Sequence, residues 1–239
     1  KGKYIDSGVS GIVELLPNGH VIKSPWPGWP EDECKEDIAQ EVRTYRRLLQ
    51  CYGPRKRFIR LISYDEKEHA ITMEHIVNGT LWTYLEVHNN QVIQQQRHLW
   101  IQAIVEGMEM LHAANIIHCD FSPRNMLIDH TLELKVADFG CVSIDGSRSS
   151  VGGSSRFYPT RNCEIFEVND DLFALGSSVF EVLTWKPPYV DLETGAVRNL
   201  HGLQQFPDLV GLDFSDIIRD CWLFQAGSAR EVYQWVKRL

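Results

Sequence analysis

One run in the middle of the chain constrains the fold more than any other. From residue 116 to residue 140 it reads IIHCDFSPRNMLIDHTLELKVADFG. Two short β-like pieces, MLID and LELKVAD, form a hairpin with polar groups at both ends. His118, Asp120 and Asn125 precede it, with Arg124 beside the amide, and Asp138-Phe139-Gly140 closes it. A structural loop has no need of an acid and an amide five residues apart. The rest of the chain must therefore be read for what surrounds this hairpin.

Upstream, KYIDS, GIVELL and HVIKS read as short strands, and Pro17-Asn18-Gly19 suits a tight turn between the last two. PWPGWPEDE interrupts regular structure. A helix follows with Ile38, Val42, Tyr45 and Leu49 on one face and acids near its start. FIRLISYD and HAITMEHI form another strand pair. From Leu81 the texture becomes helical, with apolar stripes Trp100/Ile104/Met108/Leu111, Leu172/Leu175/Val179/Val182 and Val232/Trp235/Val236/Leu239. The expected architecture is α+β and two-lobed. A small antiparallel sheet with one helix spans residues 1–76, and a larger, mainly helical lobe spans residues 77–239. A cleft between lobes is a favoured ligand site.

Composition narrows the function. A net charge of −8 argues against a general affinity for nucleic acid but leaves room for a local anion site. No apolar run reaches membrane-spanning length, so no membrane partner is expected. The six cysteines show no CxxC pair, which points to reduced thiols in the cytoplasm or nucleus. The chain begins at Lys1 rather than Met, which leaves open whether it is a fragment of a longer protein, and a monomer is expected.

In order, the chain offers Asp6-x-Gly8-x-x-Gly11-x-Val13, Lys23 closing HVIK, Glu41 in the first helix, His118-Cys119-Asp120 with Asn125, and Asp138-Phe139-Gly140. Singly, each has a bland alternative. The glycines are turn residues, Lys23 is a strand residue with its amine in water, Glu41 is a solvated helix acid, and Arg124 is a loop arginine.

The order and spacing together resemble the eukaryotic-type protein kinase domain, from Ile5 to Arg230. The resemblance implies ATP and Mg²⁺ as cofactors and a protein as substrate. Gly8 and Gly11 would let backbone N–H groups approach phosphate, Lys23 would hold two phosphates, and Glu41 would fix Lys23 as an ion pair. Asn125 and Asp138 would supply hard oxygens to Mg²⁺. Asp120 would orient the substrate hydroxyl or accept its proton, and Arg124 would neutralise charge on the transferred group. Adenine would lie between Val13 and Val21 above and Leu127 below, with Met73 at the back and backbone bonds from Glu74 to Ile76. Ser155 would stand near Asp120 in the family's threonine slot. DDLFALGSSVFEVLTWKPPY matches the family's central helix, where Asp171 would anchor the catalytic loop, and FPDL…DIIRDCW further resembles kinase-like domains of filamentous fungi.

Several positions depart from the family pattern. Asp6 replaces a glycine, Val21 an alanine, and Cys119 the arginine that captures an activation-segment phosphate. Activity is therefore expected to be independent of phosphorylation at Ser147, Ser149, Ser150, Ser154 and Ser155. Thr160, Arg161 and Asn162 stand where the family has Ala-Pro-Glu, which leaves Glu164 or Glu167 as the acids that would face Arg230. The leading function is transfer of the γ-phosphate of ATP to a protein serine or threonine. A pseudokinase scaffold without turnover and a small-molecule kinase of the aminoglycoside or choline kinase type are the alternatives. The first would bind nucleotide without transfer, and the second needs no peptide platform.

Overall fold

The computed structural model describes residues 2–28, 31–149, 152–159 and 165–238. Five strands form one antiparallel sheet: β1 (Lys3–Gly8), β2 (Gly11–Leu15), β3 (His20–Ser24), β4 (Leu61–Asp65) and β5 (Ala70–Glu74), in the order β1-β2-β3-β5-β4. The Pro17-Asn18-Gly19 turn is closed by Gly19 N–H donating to Leu16 O at 3.0 Å and Leu16 N–H to His20 O at 2.8 Å. Side chains alternate faces along a strand, so Val21 and Lys23 of β3 are buried on the same side. Pairing of Val13 with Lys23 and of Val21 with Met73 adds two more apolar side chains to that face. The register thus builds an apolar roof around one ammonium.

Helix α1 (Glu31–Tyr52) lies against this sheet. Its first turn holds Glu31, Asp32 and Glu33, which suit the positive end of the helix dipole. Its buried face runs through Ile38, Val42, Tyr45 and Leu48. Leu49, expected on that face, is exposed, because Leu48 falls three residues after Tyr45 and turns inward instead. Glu41 sits on the same buried face, so its carboxylate needs a partner.

The sheet ends at Glu74 and α2 (Leu81–His88) starts the second lobe, so the boundary expected after Ile76 falls within their connection. α3 (Gln94–Ala113) buries Trp100, Ile104, Met108 and Leu111, and α4 (Val168–Thr184) is buried along most of its length. α5 (Thr194–Gly202) and α6 (Ser215–Trp222) follow, α6 packing on α4, and α7 (Ala229–Val236) packs on α3. On α7 Val232 and Val236 are buried and Trp235 partly so, while Leu239 lies outside the described residues. Among the described residues no helix is long and apolar enough to cross a membrane. No disulfide joins any two of the five described cysteines, and Cys163 lies outside the described residues.

Between α3 and α4, β6 (Ile116–Ile117) pairs with β9 (Ser143–Ile144), and β7 (Met126–Ile128) with β8 (Leu134–Val136). The lobes are pinned together at residues 57–59. Val136 N–H donates to Arg57 O at 2.8 Å, and the Arg57 guanidinium donates to Leu134 O at 2.6 Å and to Glu106 Oε2 at 2.6 and 2.9 Å. Lys135 Nζ donates to Glu74 Oε1 at 2.9 Å, tying β8 to the inter-lobe connection.

Candidate active site

Lys23 Nζ lies 2.8 Å from Glu41 Oε2 and 2.7 Å from Asp138 Oδ1. The two carboxylates come from residues 18 and 115 positions away, so three elements converge on one ammonium. Burial alone would lower the lysine's pKa, but Asp138 and Glu41 together outweigh it and hold it well above the ordinary value. Burial pushes the Glu41 carboxyl up despite Lys23. For Asp138 burial also pushes upward, but Lys23, His118 and the Gly140 N–H prevail and hold it below the usual range. The Asp138 side chain is 43% exposed, so it remains open to a ligand. A row of edge-on and tilted rings runs beside this cluster. Phe139 meets Tyr45 of α1 at 5.1 Å and His118 at 5.5 Å between centroids, which ties the helix that carries Glu41 to the catalytic loop.

Asp171, fully buried in the first turn of α4, holds that loop. It accepts His118 N–H at 2.6 Å, Cys119 N–H at 3.0 Å, the Tyr158 hydroxyl at 3.0 Å and His112 Nε2 at 3.1 Å. Burial would raise this carboxyl, but the His112 and His118 contacts outweigh it and keep it low. Cys119 and Asp138 both have left-handed backbones, with φ of +65° and +58°. Such conformations cost non-glycine residues about 1–2 kcal/mol each and persist where surrounding contacts over-determine them. The Cys119 side chain is fully buried, and its thiol is pushed far up by burial and by Asp171. It offers no cation to a phosphate.

Asn125 Nδ2 donates to Asp120 Oδ2 at 2.9 Å and to Asp120 O at 2.7 Å. This spends the amide's N–H donors on Asp120 and leaves its carbonyl oxygen for a cation. Burial raises the Asp120 carboxyl, against the opposing influence of His118 and Asn125. A cavity of about 440 Å³ joins Gly8, Asp120, Asn125 and Asp138, and extends to Arg124. Gly11 is required by the backbone: a Cβ there would stand 2.1 Å from Ser24 O. Asp6 is exposed on β1 and outside the cavity wall.

Of the residues expected around adenine, Val21, Met73 and Ile76 are buried and Val13 and Leu127 half-buried. Ile76 N–H has no acceptor among the described residues, whereas Glu74 N–H is spent on Arg60 O at 3.1 Å. Glu74 therefore offers only its carbonyl to a base edge.

Ser155 does not join the group. Its hydroxyl accepts from Arg198 Nε of α5 at 3.1 Å, and the residue beside Asp120 is instead Gly153. A Cβ on Gly153 would stand 3.0 Å from Asp120 Oδ1 and 2.3 Å from the Tyr158 ring. Glu167 caps α4 through a reciprocal bond with Asp170, and Ser150, Thr160, Arg161, Asn162 and Glu164 lie outside the described residues.

Sequence reasoning missed Tyr158, His112, Lys135 and Arg198, whose partners are distant in the chain. It also missed Trp82, whose ring lies 3.7 Å from the Arg124 guanidinium carbon, and Glu181, buried in the cavity wall.

A family model described as "Protein kinase domain" matches residues 30–222. The chain is 29% identical over 164 residues to the Aurora kinase of Saccharomyces cerevisiae, covering 65% of this chain and 44% of that protein. It is 27% identical over 239 residues to RGS domain-containing serine/threonine-protein kinase A of Dictyostelium discoideum, covering 92% and 20%. To mitogen-activated protein kinase kinase kinase 3 of Homo sapiens it is 29% identical over 219 residues, covering 82% and 34%. The chain thus spans between 20% and 44% of the length of these relatives.

Proposed function

The chain belongs to the protein kinase family, and from that premise we propose that it moves the γ-phosphoryl group of ATP to a serine or threonine hydroxyl of a protein. The observation that carries this reading is the pair of contacts, 2.8 and 2.7 Å, from Lys23 Nζ to Glu41 and Asp138. Phosphoryl transfer asks the protein mainly for positioning and counter-charge. Lys23 supplies a permanent cation, Glu41 fixes its position, and the Gly8–Gly11 turn offers backbone N–H groups. Asp120, oriented by Asn125, stands where an acceptor hydroxyl would enter.

The oxygen set fits Mg²⁺, an ion that favours one or two protein oxygens together with phosphates and water. Asp138 and the Asn125 side-chain carbonyl would hold it. Among the described residues no cluster of three or more His, Cys, Asp or Glu forms an all-protein cage. When bound, the ion would neutralise charge on the phosphates. Residues 1–76 and 77–239 act in this reading as the two jaws around the nucleotide. Reduced thiols, as in the five described cysteines, suit an intracellular compartment.

The test is radiolabelled ATP and Mg²⁺ with a generic protein substrate, comparing wild type with Asp120→Ala and Asp138→Ala. Both substitutions are expected to abolish transfer. Transfer undiminished by either removes the assignment, and nucleotide binding without transfer in the wild type favours a scaffold.

A further inference from the structure

The catalytic cavity continues past Asp120 to Arg124, Arg156, Glu181 and Val190. Arg124 belongs to the short 3₁₀ turn Pro123–Asn125 and lies on the Trp82 ring of α2. The stack engages the face of the guanidinium and uses none of its N–H donors. Among the described residues Arg124 donates to no protein acceptor, in contrast to Arg57 or Arg97, whose N–H groups are taken up. Arg156 donates to Tyr189 O at 3.4 Å and to Leu192 O, both neutral carbonyls, and among the described residues it pairs with no carboxylate.

The same wall carries three acids, Asp120 and Asp138 of the catalytic group and, beyond them, Glu181. Glu181 is 3% exposed and forms no ion pair with Arg124 among the described residues. Burial pushes its carboxyl up to about 7, with Arg124 pulling it down and Glu86 pushing it further up. At neutral pH this acid is charged only part of the time. Setting aside Asp138, which is paired with Lys23, and Asp120 at the entry of the acceptor hydroxyl, the remainder of the wall carries two guanidinium charges against the partly charged Glu181, on a chain whose net charge is −8. The positive character is local to the acceptor end.

We propose that this wall is a subsite for a carboxylate on the acceptor protein, so that segments phosphorylated here carry Asp or Glu near the hydroxyl and Arg124 reads it. This rests on the phosphotransfer reading above and adds the substrate class. A guanidinium already fixed on an aromatic face presents its planar fork with little rotamer entropy left to lose, and carboxylates fit that fork with two parallel hydrogen bonds. Arg124 follows Asp120 by four residues and shares its cavity, so carboxylate and hydroxyl would be close neighbours in the acceptor.

The full chain is assayed with Mg²⁺-ATP on peptides that share one acceptor hydroxyl and differ in a single flanking residue, placed in turn at each neighbouring position. The residues compared are Glu, Gln, Arg and phosphoserine. The best Glu peptide is expected to exceed its Gln counterpart about tenfold in kcat/KM, the equivalent of about 1.4 kcal/mol, with Arg below Gln. Arg124→Glu is expected to reverse that order and Glu181→Gln to widen the gap. Equal rates for all flanks, or a wild-type preference for Arg, overturn the subsite and leave phosphotransfer standing. A phosphoserine preference with Glu equal to Gln overturns the carboxylate in favour of an already phosphorylated acceptor. Transfer to no peptide at all overturns the phosphotransfer reading, and the subsite with it. The wild-type panel decides even if Arg124→Glu fails to fold.

Discussion

Replacing Glu181 by glutamine is expected to stabilise the protein at alkaline pH, although the residue is buried and lines the cavity. The ordinary glutamate value is 4.5, and in the fold burial raises this carboxyl to about 7. Between those values the folded state holds a proton that the unfolded chain has released, so stability falls as pH rises through the window. Below pH 4.5 both states are protonated and nothing is lost. Above about 7 the full cost is present, about 3 kcal/mol at roughly 1.4 kcal/mol per pH unit. Arg124 from the Pro123–Asn125 turn and Glu86 from α2 are the charges that bear on it, and both act within the value quoted. Glutamine keeps the shape and cannot ionise. The assay is urea unfolding followed by tryptophan fluorescence from pH 4.5 to 8, with wild type and variant compared at each pH so that other titrating groups cancel. The variant should gain about 3 kcal/mol relative to wild type across that range. Parallel curves, or a wild type that is the more stable at pH 8, would show that Arg124 compensates the carboxylate fully and would refute the reasoning.

Asp171→Asn removes the charge that holds four donors in a fully buried site and is expected to cost about 3–5 kcal/mol; an unfolding midpoint equal to wild type, with turnover intact, would mean that other contacts hold the loop. Alanine at Ser155 and at the four serines Ser147, Ser149, Ser150 and Ser154 together is expected to leave the phosphotransfer rate comparable to wild type, because Cys119 presents no cation. Loss of activity with an unchanged circular dichroism spectrum, and none in Ser155→Ala alone, would show that one of the four is a required phosphosite.

The parts of the fold that were legible in the sequence are those where one local period decides the outcome. The stripe from Trp100 to Leu111 is buried as spaced, and the hairpin around Asn18-Gly19 closes as its turn residues dictate. Leu49 was misplaced by one residue because LL offers two candidates and only the packing against the sheet selects Leu48. In the site, Lys23, Glu41, Asp120, Asn125 and Asp138 were legible because their order and spacing form a pattern. Glu41 also carries a local sign, being an acid on an otherwise apolar helix face. Around Arg124 only the arginine itself was legible, by its place beside Asn125. Its neighbours come from other elements: Trp82 of α2 lies under the guanidinium, and Glu181 of α4 lines the same cavity. Ser155 was placed by its likeness to a motif whose neighbours have changed, and its hydroxyl accepts from Arg198 instead.

Cys119 shows how the structure replaces what the family pattern lacks. An arginine at this position would bind a phosphate and thereby order the activation segment. Here the segment is attached without charge on its own side: Gly153 N–H donates to Cys119 O at 3.0 Å, Tyr158 Oη accepts Phe121 N–H at 2.7 Å, and the same hydroxyl donates to Asp171. Asp171 also holds the N–H groups of His118 and Cys119, so catalytic loop and segment share one buried carboxylate. From His118 the row of rings passes through Phe139 to Tyr45, and α1 carries Glu41 to Lys23. Displacing α1 would therefore open the ion pair and separate the rings together, and loosening Asp171 would release both the loop and the segment. The alignment of Lys23 with Asp138 is thus accompanied by burial and hydrogen bonds present in the unmodified chain, and this is the physical ground for expecting the serine-to-alanine protein to keep its activity.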